Sequence, residues 1–352
     1  MPWQEIEGHD AVVEQFRRAL ERGRMASSFL FVGPSGIGKR TFALALARTL
    51  LCQTRPESAM DPCGRCESCV QVTAGTHPDL LQVAKPKDKS FLPLELLIGD
   101  KEHRMREGLC HDIGLKPYMA GRRVAIIDDA DYLNAEGANS LLKTLEEPPP
   151  RSVLILVGTS PARQLPTIRS RCQLIRFQPL PEPIVARLLL TQGHASDAAE
   201  AARLAAHAEG SPERALELAD PALWEFREKL LADLAAPSLD GLRVASAVSA
   251  FVDEAGRDAP PRRARLRLIV GFAAEFYRRW LLVREGAEPP SDATLARAIR
   301  QAVNGPVRTE GSIAACAERC LDALEQIDRN ANQTTLIECW IDDLDRAAGG
   351  DF

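Results

Sequence analysis

The chain is predicted to be an α/β protein built on a parallel sheet, followed by an all-helical part. Three observations carry this expectation. Up to about Pro179, short apolar runs alternate with helical patterns; two of those runs are apolar at every position; and beyond Pro183 the strand pattern stops. Strands covered on both faces by crossover helices lose the alternation of a half-exposed sheet, so continuous apolar runs are their signature.

In chain order, "SSFLFVG" (27–33) is expected as the first strand and "RTFALALARTLLC" (40–52) as the helix after it. "DLLQVA" (79–84), "RRVAIIDDAD" (122–131) and "SVLILVGTS" (152–160) supply three more strands, with Val124–Ile127 and Val153–Val157 apolar throughout. "QLIRFQ" (173–178) is a fifth, and the prolines of "PLPEP" close this part. "IVARLLLTQ", "AAEAARLAAHAEG" and "PERALELA" then read as short amphipathic helices. From about Pro221 the helices lengthen, as in 262–285 and 312–348. The second of these is expected to break near Asn330–Asn332, because asparagine favours caps and turns over helix interiors.

At 352 residues the chain exceeds one ordinary domain. Apolar residues at 45% and charged residues at 26% give the balance of a soluble globular protein. A net charge of −5 argues against a polybasic attraction of the whole chain to nucleic acid. The N-terminus has no apolar run of signal-peptide type, and no stretch approaches the roughly 18 uninterrupted apolar residues of a membrane span. A cytoplasmic protein is expected. In that reducing setting the nine cysteines are weighed first as metal ligands.

"GPSGIGKRTF" (33–42) matches G-x-x-x-x-G-K through Lys39, directly after a strand and before a helix. Gly33, Gly36 and Gly38 let backbone N–H groups converge on phosphate oxygens, and Lys39 would reach the outer phosphates. The next position should carry a hydroxyl for Mg²⁺, but Arg40 stands there, a permanent cation with no lone pair to donate. Thr41 lies one residue on, about 100° round the helix. In "VAIIDDADYL" a strand delivers Asp128 and Asp129 at its C-terminal edge, where open parallel sheets bind ligands. Asp128 is placed as a magnesium-linked carboxylate and Asp129 as a short version of a water-activating glutamate.

Cys52, Cys63, Cys66 and Cys69 follow the spacing C-x10-C-x2-C-x2-C, which suits one closed tetrahedral zinc site. An iron–sulfur centre is an alternative, although the C-x3-C-P continuation of a ferredoxin-type ligand run is absent; free buried cysteines are another. "QLPTIRSRCQ" (164–173) places Arg169 and Arg171 on the connection into the last strand.

Together, the phosphate loop, the four cysteines, "AGTHPD" (74–79), "ANSLLKTLEEPP" (138–149) and "RSRC" (169–172) resemble the bacterial clamp-loader subunits of DNA polymerase III, most of all the delta-prime group. The resemblance covers about the first 180 residues and implies an AAA+ architecture. Residues 1–180 would form a RecA-like domain with a four-cysteine zinc module at 52–69, 181–220 a helical lid, and 221–352 a helical oligomerisation collar. It also implies partners: gamma/tau and delta subunits, a sliding clamp, and primed DNA reached through the complex, in DNA replication. The catalytic gamma/tau subunits carry GKT or GKS at the loop, a DE pair at the acidic strand and an arginine in GS-x-R of the lid. Here the matching positions are Lys39–Arg40, Asp128–Asp129 and "GSPE" (210–213), with Arg214 one residue late.

Three catalytic positions thus depart together, while Arg171 matches the family's trans-acting arginine finger. The implied role is a loader subunit with little ATPase of its own that offers Arg171 to a neighbouring site. Zn²⁺ is the implied cofactor, and ATP with Mg²⁺ stays an open alternative at the loop. Two other functions remain at this stage: a gamma/tau-like ATP-hydrolysing subunit, supported by the intact glycines and Lys39, and a zinc-containing DNA-binding module, supported by the cysteines and basic "RRARLR" (262–267).

Overall fold

A computed structural model describes residues 3, 6–86, 89, 91–290, 292–305 and 308–349. Residues 1 and 352, the outer limits of the expected first and third segments, lie outside this range. The chain divides into two compact units, Met1–Ala219 and Asp220–Phe352.

The first unit holds the five expected strands: β1 (Ser28–Val32), β2 (Leu80–Val83), β3 (Arg123–Ile127), β4 (Ser152–Val157) and β5 (Gln173–Arg176). All pairings are parallel, in the order β2-β3-β4-β1-β5. Every residue of β1, β3 and β4 is buried, which is why their sequences are continuously apolar after the leading Ser28, Arg123 and Ser152. Strand β5 at the edge exposes Gln173 and Arg176, charge and polarity that discourage pairing with a stray strand.

The helices of this unit are α1 (Asp10–Glu21), α2 (Lys39–Leu51), α3 (Glu67–Ala74), α4 (Glu95–Ile98), α5 (Leu109–Asp112), α6 (Ala135–Glu146), α7 (Pro166–Arg169), α8 (Glu182–Thr191), α9 (Ala198–His207) and α10 (Pro212–Glu217). Successive strand residues point to opposite faces, so the sheet feeds two cores. Phe29, Phe31, Ile126 and Ile155 pack with Phe16 of α1 and Phe42 of α2; Leu30, Ala125, Ile127 and Leu154 pack with Leu141 and Leu145 of α6. Phe16, Phe31 and Phe177 surround Phe42 with ring centroids 5.1–5.9 Å away. Burial of each such ring contributes about 1.5–3 kcal/mol, and together they fix where α2 begins against the sheet.

The second unit is all helix: α11 (Pro221–Leu234), α12 (Gly241–Asp253), α13 (Ala259–Arg284), α14 (Ala293–Asn304), α15 (Glu310–Asp328) and α16 (Gln333–Gly349). The long C-terminal segment breaks at residues 329–332, with Asn330 in the left-handed region at φ 60°. Leu266, Ile269, Val270, Phe276 and Trp280 of α13 are all buried inside this unit. The arginines of "RRARLR" are engaged locally: Arg262 with Asp253, Arg263 with Asn330, Arg265 with Asp220 and Arg267 with Asp328. That run is therefore not an uncompensated basic face.

Candidate nucleotide and metal sites

The phosphate loop leaves β1 at Gly33 and enters α2 at Lys39. Gly36 and Gly38 take φ of 72° and 92°, a region costly for residues with a Cβ. The Lys39 ammonium is buried and donates to the Gly33 and Pro34 carbonyls at 2.7 and 2.5 Å, so it braces its own loop. Burial pulls its pKa down, opposed by the nearby Asp131, Asp128 and Glu213 carboxylates. Arg40 Nε lies 3.4 Å from Asp128 Oδ2. A guanidinium thus pairs with the carboxylate expected to sit beside magnesium. Thr41 is exposed. Asp129 follows with φ 56°, and burial, then the neighbouring Asp128 charge, raises its pKa.

Two further carboxylates complete this site, Asp131, which sequence reasoning missed, and Glu213, which it places at the end of "GSPE". Asp131 accepts from the Thr159 amide at 2.7 Å, the Thr159 hydroxyl at 2.5 Å and Gln164 Nε2 at 2.7 Å. Because the Gly33 amide donates to the Thr159 carbonyl at 3.1 Å, this carboxylate ties the end of β4 to the start of the loop. The second is Glu213, in the first turn of α10. A Cβ placed on Gly36 would lie 2.3 Å from Ser211 Oγ and 2.7 Å from Glu213 Oε2, so the start of α10 rests directly on the loop. Arg214 turns instead to Glu209, at 3.1 Å. Glu213 was legible in principle, since it stands in the arginine position of GS-x-R. The position after Lys39 carries Arg40 in place of a hydroxyl, and α10 brings the Glu213 carboxylate to the loop.

The four cysteines do come together. Their sulfurs lie within 4.8 Å of one another, and all four are free thiols. Backbone amides point at sulfur: Cys63 N to Cys52 Sγ at 3.5 Å, Cys66 N to Cys63 Sγ at 3.2 Å and Cys69 N to Cys66 Sγ at 3.4 Å. Such bonds favour thiolate. The Thr54 hydroxyl, with the Arg65 and Cys66 amides, draws Cys63 down to about 5, whereas burial pushes Cys69 up to about 12. Arg48, in the last turn of α2, faces this loop with a buried Nε that has no hydrogen-bond partner. Four convergent sulfurs beside an unsatisfied cation fit a metal ion held as a thiolate complex.

The cluster is joined to the sheet by "AGTHPD". Ser68 Oγ bonds the Leu51 carbonyl at 2.5 Å and His77 Nε2 at 2.7 Å, while His77 Nδ1 accepts from Asp79 N at 3.0 Å. That bond leaves the His77 proton on Nε2 and makes the ring structural. Asp79, fully buried, accepts from the amides of Tyr118, Met119 and Ala120 at 2.7–3.0 Å.

Arg171 lies between α7 and β5. Its guanidinium donates to Glu146 of α6 at 2.5 Å and to the Thr167 carbonyl at 2.9 Å, leaving 31% of the side chain exposed. Arg169 is exposed.

Residues 8–181 match the family described as "DNA polymerase III, delta subunit". The chain is 36% identical over 213 residues to DNA polymerase III subunit delta' of Pseudomonas aeruginosa, covering 60% of this chain and 61% of that protein. It is 34% identical over 222 residues to the Escherichia coli subunit delta', covering 63% of each chain. A gamma/tau subunit of Mycobacterium tuberculosis is 33% identical over 223 residues, 62% of this chain and 36% of that one. The matches span less than two thirds of these relatives' lengths. Over residues 8–181, just under half of its length, the chain is thus similar to the DNA polymerase III delta-subunit family, with delta' and gamma/tau subunits among its relatives.

Proposed function

We propose that the chain works as a delta-prime-type subunit of a clamp loader, helping to place a sliding clamp on primed DNA during replication. In this reading it assembles with gamma/tau and delta subunits in the cytoplasm and hydrolyses little or no ATP itself. One observation carries the choice over a gamma/tau-like hydrolase: the site is closed from within. Lys39 bonds its own loop, Arg40 pairs with Asp128, and Glu213 lies against Gly36. An acid-lined, self-paired loop opposes the four negative charges of a nucleoside triphosphate.

Arg171 is the residue offered outward, as the arginine finger of a neighbouring ATPase site. Its planar fork can stabilise charge spreading over a transferring phosphoryl group without proton transfer. Glu146 and the Thr167 carbonyl hold it near the surface before a neighbour arrives. Residues 1–180 serve as the AAA+ domain, 181–220 as its lid and 221–352 as the collar, with zinc at Cys52, Cys63, Cys66 and Cys69 as a structural ion. The test is reconstitution with gamma/tau and delta subunits, scoring incorporation and clamp loading with and without this chain. Loading that proceeds unchanged without it overturns the reading, and Mg²⁺-dependent ATP turnover by the isolated chain, abolished by Lys39→Ala, replaces it with the gamma/tau-like one.

A further inference from the structure

The Arg48 guanidinium lies in an unusual position. A Cβ on Gly64, the residue after Cys63, would sit 2.8 Å from Arg48 Nη2, so the guanidinium is pressed against the backbone of the cysteine loop. Gly64 has φ 73°. Arg48 Nε is buried without a partner, and among the described residues no carboxylate pairs with this side chain. A half-buried, unpaired cation is costly, and in this protein most other arginines near a surface find a carboxylate. The segment Arg48 meets is the Cys63–Cys66 loop, which carries two of the four cysteines.

Four thiolates around a divalent ion carry a double negative charge. Cys52, one of the four, is also the C-cap of α2, where the helix contributes further negative potential. Both effects disfavour the metal complex, and both are offset by a cation in the last turn of the same helix. We infer that Arg48 is the charge-compensating positioning residue of the metal site: it ligates nothing, and it stabilises the tetrathiolate complex through its charge and through the Cys63–Cys66 loop it braces. The inference rests on the zinc reading above.

The role differs from ordinary packing in one respect. With metal bound all four sulfurs are thiolates and the complex offers Arg48 a double negative charge; without metal the cluster offers it less. Removing the charge should weaken the metal-bound form and leave the metal-free form equally or more stable, whereas a purely structural arginine would cost stability in both. The experiment uses the full chain as wild type, Arg48→Gln, Arg48→Met and Arg48→Lys. Zinc affinity is measured by competition with a chromophoric chelator, and thermal unfolding is followed with and without zinc. Arg48→Gln and Arg48→Met are expected to bind zinc about 10–100-fold more weakly, as for other outer-shell partners of metal ligands. Arg48→Lys should recover most of that loss, and added salt should weaken wild-type binding more than binding by the neutral variants. Cobalt(II)-substituted protein should keep a four-sulfur tetrahedral spectrum in every variant. Wild-type zinc affinity in Arg48→Gln and Arg48→Met, or equal destabilisation of both forms, overturns the inference while leaving the zinc site intact. A wild-type chain that takes up no zinc overturns both.

Discussion

Helix α2 ends in two sites that look alike in sequence, since each is a short, well-spaced motif, and they differ in how charge is handled. At its N-terminus Lys39 and Arg40 already have partners, the loop carbonyls and Asp128. At its C-terminus four thiol groups converge and Arg48 is left without a partner. The first site pairs its charges internally; the second offers thiols that a metal can turn into an anionic complex, with a cation beside it to offset that charge. The motif alone does not reveal this difference, because it depends on what the neighbouring elements bring.

The largest effect that would sharpen the contrast lies away from both ends. In a reconstituted loader, Arg171→Ala is expected to lower single-turnover hydrolysis at the adjacent site by about 10³-fold, with incorporation unchanged. Wild-type hydrolysis in a fully assembled variant complex breaks the proposed finger role. Next comes the metal end. Elemental analysis should give one zinc per chain, and chelation should remove about 4 kcal/mol of stability relative to protein at a thousandfold excess of zinc over Kd. Iron tracking inorganic sulfide would instead restore the iron–sulfur alternative.

Asp79→Asn should cost about 1–3 kcal/mol, since a buried group accepting three amides loses its charge. Burial alone would raise the Asp79 pKa, but the Tyr118, Ala120 and Met119 amides and Arg123 outweigh it and hold it below the usual carboxylate value. Its contribution is therefore present above pH of about 3.9 and is lost as pH falls through the lower folded value. Acid unfolding followed by circular dichroism should show the variant losing stability less steeply in that range. The smallest effect concerns the loop: Arg40→Thr combined with Glu213→Arg should tighten Mg²⁺–nucleotide binding by about tenfold, or 1.4 kcal/mol, read by calorimetry. If wild type already binds as tightly as that variant, the self-closed site is a misreading.

Much of the fold was legible because burial on both faces leaves a direct trace: β3 and β4 are apolar at nearly every step, and Asn330–Asn332 marked the final helix break. The cysteine cluster was legible from spacing. Arg40 announced a damaged metal position, but its pairing with Asp128 depends on how a strand end meets a helix start and has no local signature. Asp79, Asp131 and Arg48 were missed for a shared reason. Each acts on groups remote in sequence, such as Tyr118–Ala120, Thr159 and Gly64, and a lone charged residue carries no mark of such a partner.

The contact of Ser211 and Glu213 with Gly36 would, in the proposed lid, have a consequence for timing. A lid that closes over nucleotide samples the cellular ratio of ATP to ADP, and its angle fluctuates with each binding and release. In the proposed loader, a lid resting on the loop through Ser211 and Glu213 would not respond to that ratio, and would supply no signal of its own. In the assembly proposed here, every change of state would be set by the other subunits, and this one would act as the fixed reference against which their movements are measured.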